Sequence, residues 1–170
     1  MRNMSLRHGM IWTLVTAFCW LSPQLHADDI QRTELTVIDH TYMDDQRQAL
    51  DEVARRYLGR QFNGDKDNDL ELMQIMLDRR LVRRDQRELL QAMGFVLGDI
   101  LVKKEGLKWI IYTDNKGRSR ALAIPNKDDV IFPVTMISRR YEVGAEVDVQ
   151  AVYDKAQDAI ADIRKRIYLR

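Results

Sequence analysis

The chain has 170 residues, 45% of them hydrophobic, enough to build a sizeable core in one domain. Its 27 Lys and Arg residues nearly balance 26 Asp and Glu residues, so a general attraction to nucleic acid or to an anionic membrane is unsupported, and nucleic acid is not an expected partner. Cys19 is the only cysteine, which excludes a disulfide scaffold and leaves hydrophobic packing to hold the fold together.

Residues 1–27 read as a secretory signal: Arg2 and Arg7 form a basic start, Met10 to Leu21 an apolar core, and the segment closes on the small residue Ala27. The apolar run of twelve is well short of the roughly 20 residues that a membrane helix needs, so cleavage without a stable membrane anchor is expected. Phe18 before Cys19 occupies the place where a lipid anchor needs a small residue. The exported chain would start at Asp28, lack cysteine, and keep His40 and Trp109 as its only histidine and tryptophan. The location expected is the periplasm or the exterior.

Residues 28–43 show no helical period, although "TELTVI" alternates enough for an edge strand, and they are read as a segment preceding one α+β domain over 44–170. Leu50, Val53, Ala54, Tyr57 and Leu58 share a helix face, with Asp44 or Asp45 as N-cap and Asp51 to Arg55 and Glu52 to Arg56 as pairs on the back. After the polar loop "NGDKDND", Asn68 or Asp69 opens a second helix that is apolar around most of its circumference. A third starts at Asp85 with a capping box to Glu88 and stops at Gly106, after Lys103 and Lys104. Within it Gly94 and Gly98 share a face. Either a close backbone approach or a ligand lying across the groove would explain them.

The hairpin 107–124 follows. Reading Asn115, Lys116 and Gly117 as a three-residue loop places Ile111 opposite Ala121, Trp109 opposite Ala123, Tyr112 opposite Arg120 and Ile110 opposite Leu122. Trp109 is then a core plug or, if it faces solvent, a binding platform, with Tyr112 on the other face of the ribbon as a further binding candidate. A short third strand ends at Pro133, a short helix runs through Val134, Ile137 and Tyr141, and Asp148 caps a long last helix with Val152, Ala156, Ala159, Ile160, Ile163 and Ile167 inward. The expected architecture is α+β: a small antiparallel β-meander packed by about four helices, including the long C-terminal one.

"GFVLGDILVKKEGLKWIIYTDNKGRSRALAI" and "VIFPVTMISRRYEVGAEVDVQAVY" resemble the bacterial family of domain of unknown function 3806 over about residues 45–160. The shared features are Gly94, Gly98, Asp99, Trp109, Asp114, Gly117 and Pro133. The resemblance implies one compact domain and brings no activity or catalytic residue with it.

Catalytic inventories are thin. Asp65, Asp67 and Asp69 alternate as in a calcium loop, but Leu70 stands in place of the turn glycine and Met76 in place of the bidentate glutamate. With His40 alone and no cysteine, zinc ligands are missing, and neither a metal nor a cofactor is expected. A serine triad would have to join His40 to Ser119 or Ser138, neither of which lies in a nucleophile elbow. Asp99, Glu105 and Asp114 are candidates for a carboxylate-dependent hydrolase of envelope polymers.

The densest charge feature is Arg79, Arg80, Arg83, Arg84 and Arg87, interspersed with Asp78, Asp85 and Glu88: either a solvated salt-bridged surface or a patch for an acidic partner. The residues favour an exported, non-catalytic binding protein, inhibitor-like or immunity-like in one form, whose partner is an envelope protein or polymer. The hydrolase, or a small-ligand binder between the glycine helix and the hairpin, is the alternative.

Overall fold

The computed structural model describes residues 30–166; the expected leader lies outside them. Strand β1 (Gln31–Glu34) is an exposed edge that shares only Thr33 and Glu34 with the expected "TELTVI" strand, whose Val37 and Ile38 open the first helix instead. Helix α1 runs Val37–Leu58. It starts well before Asp44 and Asp45, because Thr36 and Asp39 form a reciprocal capping box: the Asp39 amide donates to Thr36 Oγ1 (3.2 Å) and the Thr36 amide to Asp39 Oδ2 (3.0 Å). The early turns hide from a periodicity search because Val37 and Ile38 are 81% and 80% exposed while the inward residue is the charged Asp39. Of the segment expected to precede the domain, Gln31–Glu34 join its sheet and Val37–Met43 its first helix.

Helix α2 (Lys66–Asp78) also begins earlier than expected, capped by Asp65 rather than Asn68 or Asp69. Asp65 accepts the amides of Asp67 (3.1 Å) and Asn68 (3.0 Å), and the Asn68 amide leads the contacts that hold its carboxyl below the usual range. Buried Asp69 receives the amides of Asn63 (3.0 Å) and Gly64 (2.9 Å), so two acids of the calcium-like alternation close a loop. The helix is buried on several sides through Leu70, Leu72, Met73, Met76 and Leu77. It ends on Arg80 at φ 55°, where Arg80 donates to the Leu77 carbonyl (3.0 Å) and Leu81 to that of Met76 (2.9 Å), the Schellman pattern with an arginine in the left-handed position.

Helix α3 (Arg87–Glu105) lacks the expected capping box at Asp85. Gln86 is its N-cap and turns its side chain back to accept the Arg83 amide (2.8 Å), while Asp85 pairs with Arg83 (3.1 Å). Its far end is as read: Gly106 at φ 64° donates to Val102 after Lys103 and Lys104.

The sheet is antiparallel in the order β1-β2-β3-β4, with β2 at Lys108–Asp114, β3 at Gly117–Ala123 and β4 at Val130–Ile131. The hairpin loop has two residues, since Asp114 pairs with Gly117 and its Oδ1 accepts the Lys116 amide (2.9 Å). This moves the register by one: Trp109 pairs with Leu122, Ile110 with Ala121, Ile111 with Arg120 and Tyr112 with Ser119. Trp109, Ile111, Arg118, Arg120 and Leu122 consequently share the face toward α1 and α3.

After β4, Pro133 begins a 3-10 turn (Pro133–Thr135), followed by α4 (Ser138–Glu142), so the expected short helix is two pieces. Helix α5 (Val149–Lys165) is capped by Asp148, whose carboxylate accepts the Ala151 amide (2.9 Å). Val152, Ala156, Ile160 and Ile163 face inward, Ala159 is exposed, and Ile167 lies outside the described residues. The whole is an α+β fold of five helices and one four-stranded sheet among the described residues.

Candidate functional site

Where α1, α3 and β2 meet, Trp109 fills the space left by Gly98. A Cβ on Gly98 would lie 2.2 Å from the indole Cζ2, and one on Gly94 would lie 2.4 Å from Val134 Cα. The two glycines thus admit the indole and the 3-10 turn, and the groove imagined between the helix and the hairpin is occupied by protein. The indole Nε1 donates to Asp99 Oδ1 (2.9 Å), and Phe95 meets the ring edge-on at 5.9 Å. Arg47 reaches across from α1 to grip the same carboxylate through Nε (2.6 Å) and a terminal nitrogen (2.9 Å). Trp109 is a plug tied at its polar end.

Asp99 borders a hollow of about 440 Å³ between α1, α3 and the loop after α1. The charged groups there are mutually engaged: Asp51 with Arg55 (2.6 Å) and the Phe62 amide (2.8 Å), and Lys103 with the Gly64 carbonyl (3.0 Å). Asp114 serves the hairpin turn. Glu105 accepts from Gln157 (2.8 Å) and Arg164 (2.7 Å), and these contacts, Gln157 first, hold its carboxyl below the usual range. The carboxylates proposed for hydrolysis therefore each serve a separate junction. Tyr112 lies on the opposite sheet face, edge-on to Phe132 at 5.4 Å. His40 and Ser119 are exposed, whereas Ser138 is buried at the start of α4. Among the described residues no three His, Cys, Asp or Glu side chains stand close enough to hold a metal, and no helix is long and apolar enough to cross a membrane.

One charged cluster escaped sequence reasoning. Asp39, 1% exposed, receives Arg118 (2.6 Å) and Arg120 (3.0 Å) from β3, and Arg120 lies over the Tyr42 ring at 4.3 Å. The Arg118 hydrogen bond, against the cost of burial and with help from Thr36, pushes the Asp39 carboxyl far below its ordinary value. Arg118 and Arg120 stand two apart in the hairpin sequence, but nothing in the pattern of residues 28–43 pointed to Asp39. Their meeting depends on the hairpin register.

The arginine run does not form one patch. Arg83 pairs with Asp85 (3.1 Å) and Arg87 with Glu142 (3.4 Å) beside a hollow of about 370 Å³. Arg80 and Arg84 instead line a groove of about 910 Å³ along α2, shared with Asp67, Glu71, Asp78 and Glu146. Arg84 donates to the Gly144 carbonyl (3.3 Å) and lies over the Tyr141 ring at 5.7 Å. Arg79 is the C-cap of α2.

These features define a small α+β domain with interlocked glycine, tryptophan and proline and a partitioned set of surface arginines. The chain belongs to the family described as domain of unknown function (DUF3806), whose model matches residues 69–153, within the span expected from the resemblance. Its fold is similar to the crystal structure of a protein from Bacteroides thetaiotaomicron VPI-5482, with a TM-score of 0.68 and 18% identity over 76% of this chain. This chain spans 48% of that one, about half its length. Among curated proteins none matches the chain.

Proposed function

We propose that the protein is an exported binding protein of the cell envelope that captures a protein or polymer without performing chemistry on it. The observation supporting this reading is the distribution of arginines. Most are neutralised by carboxylates, including Arg32, Arg47, Arg55, Arg60, Arg83, Arg87 and Arg164. Arg79, Arg80, Arg84, Arg139 and Arg140 have no carboxylate partner among the described residues, and neither has Arg56, whose expected pairing with Glu52 is not made. Arg80 and Arg84 line one cavity, Arg139 and Arg140 the next, and Ala145 borders both. A guanidinium left unpaired at the surface retains its fork of donors for planar anions. Export rests on the basic, apolar and small-residue pattern of residues 1–27.

The test is affinity capture from the native envelope with the chain from Asp28 onward, comparing wild type with an Arg79→Glu, Arg80→Gly, Arg84→Glu variant. Loss of a stoichiometric partner at an undiminished melting temperature supports the reading. Capture that persists unchanged removes these three arginines from the interface.

A further inference from the structure

We propose that the hollow beside α4 seats an acidic polypeptide segment carrying one apolar anchor residue. This rests on the binding reading above and gives the partner a chemistry. The cavity, about 590 Å³, has Ile131, Phe132 and Met136 among its apolar lining and Arg139 and Arg140 among its polar lining. No carboxylate lines it. The Arg139 side chain has no ion pair or hydrogen bond among the described residues, and the Arg140 guanidinium donates only to the Met136 carbonyl. The adjoining groove along α2 mixes Arg80 and Arg84 with Asp67, Glu71, Asp78, Glu146 and Asp148, whereas this hollow carries positive charge alone, so the acidic segment with its anchor is drawn here.

The apolar part is equally particular. Phe132 is 37% exposed, with its ring held edge-on by Tyr112 at 5.4 Å and an interplanar angle of 85°. Val143 is 81% exposed on the rim, a large apolar side chain unshielded from water. A preset aromatic, a methionine and arginines around a concavity are the residue types that anchor protein interfaces. The concavity suits an inserted Leu or Phe with acidic neighbours reaching the guanidinium groups. A flat lipid headgroup layer would leave it unfilled.

The test uses fluorescence anisotropy with labelled synthetic peptides in which a central Leu-Phe pair is flanked by three acidic residues on each side. Two control peptides replace the acids by Gln and Asn, or the Leu-Phe pair by Ser-Ser. The expected result is saturable binding of the first peptide, weakened at least about tenfold in each control and in Arg139→Glu and Val143→Glu, at unchanged melting temperature. Binding should also fall as salt is raised. No binding of the first peptide, equal binding by Arg139→Glu and Val143→Glu, or binding to phosphatidylglycerol vesicles in place of the peptide would overturn the proposal. If the Arg79, Arg80, Arg84 variant loses the native partner while Arg139→Glu and Val143→Glu lose neither partner nor peptide, only this inference falls. If envelope capture yields no partner at all, the binding reading itself falls.

Discussion

The indole of Trp109 occupies the space beside Gly98, where an added Cβ would stand 2.2 Å from Cζ2 and 2.6 Å from Cη2. Gly98→Ala must therefore displace a ring that is also tied to Asp99, at a cost on the order of 1–3 kcal/mol from overpacking. In a Trp109→Leu background the same substitution should cost much less, because the colliding ring is gone. Gly94→Ala should keep its full cost in that background, since its obstacle is the Val134 backbone. Urea unfolding of the double-mutant cycle measures both couplings.

The buried Asp39 predicts a specific acid dependence. Its folded carboxyl lies well below the unfolded value of about 3.9, so its stabilisation is complete above that value and is lost as pH falls through the folded one. Asp39→Asn should cost about 3 kcal/mol near neutral pH by leaving Arg118 and Arg120 without their counter-charge. The gap between wild type and variant should narrow steadily below about pH 4. Thermal unfolding across that range checks it; a constant gap would mean that the ion cluster contributes nothing through its charge.

Arg80 at φ 55° carries a side chain where helix C-termini favour glycine. Arg80→Gly relieves that conformation and should raise stability by up to about 1 kcal/mol, offset in part by the freer unfolded chain. Arg79→Gly, at an ordinary φ of −83°, should lower or leave unchanged the same measurement.

Asp99 holds Trp109 and Arg47 together, with its side chain 40% exposed. Asp99→Ala removes the anchor at the polar end of the indole but leaves Gly98 and Phe95 against the ring. In the chain from Asp28 onward, where Trp109 is the sole tryptophan, its emission should shift to the red and quench more readily in the variant. The accompanying stability loss should be only about 1 kcal/mol, as expected for a solvent-accessible ion pair.

Several elements were legible because their causes are local. Asp148 at the head of α5 and Gly106 at the end of α3 act within a single turn. The start of α1 was not legible, since its first turns present Val37 and Ile38 to solvent and aim Asp39 inward, inverting the pattern that a periodicity search reads. In the hairpin, Gly117 could close a three-residue loop or begin a strand. The strand pairing with Asp114 prevails and moves every cross-strand partner by one.

By itself the sequence determined the α+β class and the order of its principal helices, because these follow from local propensity and patterning, while it left Gly94 and Gly98 open between close packing and a ligand groove. Tertiary structure alone decided which charges meet. Asp39 is far in sequence from Arg118 and Arg120, and Arg84 is far from Gly144, so their distances depend on strand register and helix packing. The same packing divides the arginine run between two cavities and brings Arg139 and Arg140 beside an apolar hollow. Charge interaction depends on separation in space, which spacing along a chain does not specify.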